Sequence, residues 1–282
     1  MSFLKNRTVS RQSISSRTFF RRTFSRLAVF LAVSVLLLSL AGCEVSFPET
    51  LQTKTVKGNA IPTRIPLSLD GTAGLSVEIE LTLAETEKTP IVIHPLPDGE
   101  TPFASVCIPD GFKAYGFFAR QEENGVFRVG AEQNYRFKAP DLRLDIYAPV
   151  SECALAGELE AEMDCGGDAC PNELTLTLSG AVDVSAERIS AESVTVTAAG
   201  AADIDLSGVC RALSLSIAGA GEIDAEDLSS ADCVVSVTGA GSAEVAASDT
   251  LDVTVAGAGS VVYSGEPVVT KNITGAGFVT KK

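Results

Sequence analysis

The chain has 282 residues, with 22 Lys and Arg against 36 Asp and Glu, a formal net charge of −14, one His, seven Cys and no Trp. Seven basic residues (Lys5, Arg7, Arg11, Arg17, Arg21, Arg22, Arg26) and no acidic ones fall in residues 1–42, so the remaining 240 residues carry −21, 15 against 36. So acidic a body argues against nucleic-acid binding, because a polyanion is repelled and no basic patch can release counterions. Its 45% apolar content argues against global disorder, and one His with no Trp leaves little for His-based catalysis or aromatic platforms.

The basic region runs into an apolar stretch from Leu27 to Gly42, 16 residues where a spanning helix needs about 20. Residues 1–42 therefore read as a signal peptide rather than an anchor. The stretch ends in Leu40-Ala41-Gly42-Cys43, which resembles a bacterial lipoprotein lipobox. That resemblance implies cleavage between Gly42 and Cys43 and a diacylglycerol on the Cys43 thiol. Several acyl chains on one residue give stable membrane attachment, at about 0.8 kcal/mol per buried methylene. Glu44, rather than Asp, follows the cysteine and favours an outer-membrane address. Residues 43–59, with Pro48 and little periodicity, read as a tether.

Residues 60–150 form a β-rich first half. Apolar and polar residues alternate with period two in Leu75–Leu83 and Leu142–Tyr147. Pro97-Asp98-Gly99, Pro109-Asp110-Gly111 and Asn124-Gly125 punctuate the runs. His94, at a strand end with no motif around it, reads as structural. With Cys43 assigned to lipid, six cysteines remain: Cys107, Cys153, Cys165, Cys170, Cys210 and Cys233. An even number in an exported chain suggests disulfides. Cys165 and Cys170 close a short Gly-rich loop and are the best local pair. A metal site there lacks a nearby His and has a four-residue spacer. Residues 151–172 read as a cysteine-containing insertion.

Residues 173–282 repeat. Anchor glycines stand at Gly180, Gly200, Gly219, Gly239, Gly257 and Gly275, each followed by Ala, at steps of 18 to 20 residues. Apolar residues recur two before the anchor (Leu178, Ala198, Ile217, Val237, Val255, Ile273) and four after it (Val184, Ile204, Ile223, Ala243, Val261, Val279). A single unit cannot bury both, whereas stacked units bury continuous columns. Strands lie about 4.8 Å apart, so six coils make a column of roughly 29 Å. The period predicts an all-β, right-handed parallel β-helix. The alternative, an antiparallel sandwich, would not need the same small residues at the same offset six times.

The Gly-Ala-Gly repeats, the final Asn272–Val279 segment and Leu144–Pro149 resemble the bacterial head GIN domain family, also described as auto-transporter adhesins. The resemblance spans roughly residues 60–280 and implies a β-helical fold whose small-residue corners are tight turns. It also implies a role in adhesion, with no catalytic residues, cofactor or receptor attached. The chain departs from the pattern in using Ala where Ser is common, in its six body cysteines, and in lacking the second glycine at Gly180 and Gly200.

Stacking would align Asp183, Asp203, Asp205, Glu222, Asp224 and Glu244 into an acidic stripe. Three readings stay open for it: paired carboxylates acting on a glycan, a Ca²⁺ site, or a solvated face that blocks edge-to-edge aggregation. No nucleophile elbow, phosphate loop or zinc-protease motif is present, and no cofactor or metal is expected. The expected protein is a lipid-anchored, non-enzymatic β-helix of the cell envelope, at the outer membrane or cell surface. Its expected partners are the membrane through its lipid, and a glycan or an envelope or matrix protein. A polysaccharide-acting enzyme and an envelope-structural lipoprotein are the alternatives.

Overall fold

The computed structural model describes residues 51–69, 74–84, 90–133, 135–166 and 170–282. The signal peptide expected at residues 1–42, its cleavage and lipidation site at Gly42 and Cys43, and residues 44–50 of the expected tether lie outside the described residues. No helix among the described residues is long and apolar enough to cross a membrane.

Chain order and spatial order differ in the first half. It comprises β1 (Thr53–Thr55), β2 (Ala60–Pro66), β3 (Leu75–Leu83), β4 (Ile91–His94) and β5 (Phe103–Pro109). A 3-10 helix (Asp110–Tyr115) then precedes β6 (Phe117–Gln121), β7 (Phe127–Ala131), β8 (Arg136–Lys138) and β9 (Arg143–Tyr147). In β3 the odd positions, Leu75 to Leu83, are buried, while Glu78 and Glu80 point out. That is the period-two pattern read from the sequence. β7 pairs in parallel with β3, and β9 with β4, so β7–β9 form a rung beneath β3–β4 despite following them in the chain. β5 runs antiparallel to both β2 and β9, and β6 to β7, which closes this end of the stack.

The column continues through β10 (Val150–Asp164), β11 (Glu173–Gly200), β12 (Asp203–Gly219), β13 (Glu222–Gly239) and β14 (Ser242–Gly257). It ends in β15 (Ser260–Ser264), β16 (Val268–Gly275) and β17 (Phe278–Lys281). Parallel pairing links β10 to β11, β11 to β12, β12 to β13 and β13 to β14, and then β14 to β15 and β16. The result is a β-solenoid of about six turns. The two apolar columns read from the repeat lie inside it: Leu178, Ile217 and Val255 in one, and Val184, Ile223 and Val261 in the other, are buried. Ile273 in the last rung is exposed, because among the described residues nothing stacks beyond it, and Phe278 is exposed on the outward column of Glu222, Ser242 and Ser260.

The corners explain the Gly-Ala pair. Each anchor glycine has positive φ, from 105° at Gly180 to 134° at Gly219, a region that side-chain-bearing residues avoid. A Cβ at Gly239 would also lie 2.5 Å from the carbonyl oxygen of Gly219. That oxygen is engaged, accepting from the Ala240 N–H at 2.9 Å, and Ala201, Ala220, Ala258 and Ala276 repeat the bond. The second glycine has a different cause: a Cβ at Gly241 would meet Ile217 at 2.7 Å. The two coils lacking it place the buried side chains of Val182 and Ala202 there instead.

Two boundaries differ from those expected. Within the tether 43–59, β1 pairs with β8 and Val56 is buried, so the folded body starts before residue 60. Within the insertion 151–172, residues 150–164 form a full rung on β3 and β11, with Gly157 in register with Gly180. Gly157 has φ 115° and is a further corner. The sequence pattern hides it, because Glu, not Ala, follows it and residues 165–172 lengthen its step to 23.

Candidate functional site

Two outward faces flank each corner. Before the corner, the register aligns Thr195, Ser214, Val234, Asp252 and Thr270, and beside them Thr197, Ser216, Ser236, Thr254 and Asn272. Next to the glycines stand Ala199, Ala218, Thr238, Ala256 and Thr274. This face is small, mostly hydroxyl-bearing, and charged only at Asp252.

After the corner the face is anionic. Asp183, Asp203 and Glu222 are successive register partners, as are Asp205, Asp224 and Glu244. The six stripe residues named from sequence are thus brought into two adjacent columns. The columns extend further than the repeat suggested, because Glu160 is in register with Asp183 and Glu162 with Ser185. The alternation of Glu158, Glu160, Glu162 and Asp164 was the available signal for this. Asp183 is buried, Glu222 exposed, and Asp203, Asp205, Asp224 and Glu244 half-buried.

Cations meet the stripe at both ends. Arg188 pairs with Asp164. Burial acts to raise the Asp164 carboxyl, but the Arg188 hydrogen bond and the Gly166 N–H at 3.0 Å outweigh it and hold the group below its ordinary value. At the other end Asp224, Glu226 and Glu244 bring carboxylate oxygens within 4.8 Å of one another. Lys282 pairs with Glu226 and lies 3.6 Å from Glu244, so an ammonium from the chain itself serves that cluster. Asp224, in register with Asp205 and Glu244, sits between like charges, which is unfavourable across strands. Asp224→Asn should therefore stabilise the fold by about 0.5 kcal/mol at low ionic strength. Thermal melts across a salt series check this, and the gain should vanish near 1 M salt.

His94 is held structurally. Its Nε2 lies 2.8 Å from Asp145, and its ring stacks on Tyr147 at 4.5 Å. Tyr147 in turn stacks on Phe103 at 4.6 Å. Burial acts to raise the Asp145 carboxyl, yet the hydrogen bonds from Arg143 and His94 prevail and lower it.

The six body cysteines are free thiols in the structure, so the disulfides expected from their even number are not formed there. Cys165 and Cys170 nonetheless meet, with the Cys165 thiol hydrogen-bonded to Cys170. Burial pushes Cys153 and Cys233 up to about 12 and Cys210 up to about 11. A surface groove of about 180 Å³ lies over β3, β7, β10 and β11, beside Phe118 and the 2.8 Å Arg128–Glu78 ion pair. A second depression lies at residues 120–124. The acidic stripe lines neither.

Stacked Gly-Ala corners, parallel rungs and two contrasting outward faces define a β-solenoid. The chain belongs to the head GIN domain family: the family model described as "Putative auto-transporter adhesin, head GIN domain" matches residues 121–267. Among solved structures it is similar to a "putative adhesin" from Bacteroides fragilis, at 16% identity and a TM-score of 0.61, over 81% of this chain and 98% of that one. It is also similar to a "putative lipid binding protein" from Parabacteroides distasonis, at 17% identity and a TM-score of 0.59, over 82% and 100% of the two chains. A further "putative adhesin" from Parabacteroides distasonis aligns at 14% identity and a TM-score of 0.54, over 82% and 100%. No curated protein matches the chain.

Proposed function

We propose that the protein is a lipid-anchored display module of adhesin type, exported to the outer membrane or cell surface and acting by binding rather than turnover. The observation that carries this reading is the hydroxyl-rich face, fifteen registered positions with one charge, on a body whose net charge is strongly negative. Such a face can approach a neutral glycan or protein surface without like-charge repulsion. The acidic face opposes contact with other polyanions. Side chains fill the solenoid interior, so lipid enters this reading as a covalent anchor on Cys43 and not as cargo. The carboxylates form a repeating array outside both grooves, which favours a solvated face over paired catalytic acids.

Cys43→Ser is the first test. The variant should accumulate as an unprocessed precursor and lose membrane attachment, read by metabolic labelling with a palmitate analogue and by fractionation. Normal processing and attachment would remove the anchor from the reading. Protease shaving of intact cells addresses display: the wild-type protein should be cleaved, and complete protection would place it facing the periplasm instead. Binding to a glycan and matrix-protein array should weaken at least tenfold when Thr197, Ser216 and Ser236 are replaced together by Glu. Binding that survives this change would move the contact off that face.

A further inference from the structure

Cys165 lies just past the end of β10 and Cys170 five residues further on, and their surroundings differ from those of the other body cysteines. Cys165 is buried, and its backbone N–H donates to the Glu187 carbonyl at 2.9 Å, which ties the end of β10 to the rung above. Cys170 is half-exposed, its Sγ interacts with the Cys165 thiol, and it accepts a hydrogen bond from the Ser190 N–H at 3.1 Å. Between Glu187 and Ser190 the chain makes an unusual move. Arg188 is the one non-glycine with positive φ among the described residues, at 59°. That conformation carries its guanidinium back over Gly166, where a Cβ would lie 2.4 Å from the Arg188 Cζ, and onto Asp164. A strained residue held by its surroundings is the kind of feature that marks a functional position. Here the turn pairs Arg188 with Asp164 near Cys165 and aims the Ser190 backbone donor at Cys170.

We propose that Cys165 and Cys170 are a dithiol that undergoes thiol–disulfide exchange, with Cys170 the attacking sulfur, Cys165 the resolving sulfur, and low-molecular-weight disulfides the substrate class. The thiolate is the nucleophile in such exchange. The Cys165 hydrogen bond first, and the Ser190 N–H after it, outweigh burial and bring Cys170 down to about 6, while Cys165 is raised. The charged groups facing Cys165 are Asp164 and Arg188. In the first step the Cys170 thiolate attacks one sulfur of RSSR, breaks its S–S bond and releases RS⁻, leaving Cys170 as a mixed disulfide. Cys165 then gives up its proton and attacks the Cys170 sulfur, and the second RS⁻ leaves. Two protein thiols are oxidised, one RSSR is reduced to two RSH, and the protons lost by the cysteines balance the thiols formed. The bridged product ties Cys165 to Cys170 beside the turn at Glu187–Ser190. This chemistry stands independently of the adhesive reading.

The test uses full-length protein reduced under native conditions. A pulse of iodoacetamide at pH 7, read by peptide mass spectrometry, should alkylate Cys170 at least tenfold faster than Cys107, the other partly exposed body cysteine. Oxidised glutathione should then give a peptide bridging 165 to 170 that is two hydrogens lighter, and Cys165→Ser should stop at a glutathione adduct on Cys170. Equal alkylation of Cys170 and Cys107 overturns the proposal, as does a bridge to any other cysteine or no bridge at all. A 165–170 bridge that native reduction cannot open overturns the exchange. Because the first measurement needs no variant, a misfolded Cys165→Ser cannot shelter the idea.

Discussion

Gly239→Val is expected to lower the melting temperature by roughly 10 °C, equivalent to about 4 kcal/mol for a body of this size. Three effects add. A residue with a side chain at φ 114° is strained by about 1–2 kcal/mol. Its Cβ would lie 2.5 Å from the Gly219 carbonyl oxygen, so one rung must move away from the next. Moving that oxygen breaks its 2.9 Å bond from the Ala240 N–H, a net contribution of about 1 kcal/mol, and the valine branches add further crowding. Gly221→Ala supplies the contrast. Its Cβ would lie 3.1 Å from the Ala202 oxygen and its φ is not positive, so its cost should stay below about 1 kcal/mol. An unchanged melting temperature in Gly239→Val would mean that corner stacking does not hold adjacent coils together.

Phe137→Ala should be comparably severe but local. Phe137 is fully buried where the chain closes over the lower rungs, with ring centroids 5.1 Å from Phe112 and 5.4 Å from Tyr115. Tyr135 adds an edge contact at 6.3 Å. Emptying such a site costs about 3–5 kcal/mol. In a solenoid each unit contacts chiefly its neighbours, so the damage should be confined to this end. Hydrogen exchange should show lost protection in β1, β8 and the 3-10 helix, with β13 and β14 little changed. Equal loss across all rungs would show that closure and column unfold as one unit.

Much of the column was legible, because one constraint repeats. Each Gly-Ala corner must satisfy the same φ and the same carbonyl contact, so the same letters recur at nearly the same step. The buried columns through Leu178 and Val184 follow from that spacing alone. The lower rungs were not legible for two physical reasons. Leu81 holds the corner register position opposite Gly157, so no glycine marks that rung. And β7–β9 stack beneath β3–β4 only after the excursion through β5 and β6, which breaks the link between sequence step and rung order. The aromatic residues were visible as a composition bias in the first half, but their convergence on Phe137 depends on that excursion. The acidic stripe could be read as a list, whereas the cations that meet it could not. Lys282 and Arg188 reach it from a terminal rung and a strained turn, and neither is encoded by the repeat.

The short first strand has a mechanical consequence. A pull arriving through the chain ahead of residue 51 loads β1, which is joined to β8 by three registered pairs, whereas fifteen join β11 to β12. β1 is thus the compliant element in series with a stiff column. Releasing residues 53–59, which also breaks the backbone bonds at Val56, Lys57 and Asn59, frees a segment of about 23 Å contour at roughly 3.3 Å per residue before any coil bears the strain. On slackening it can pair again with β8, so, were the N-terminal end held and a face bound as proposed above, β1 would act as a resettable length reserve.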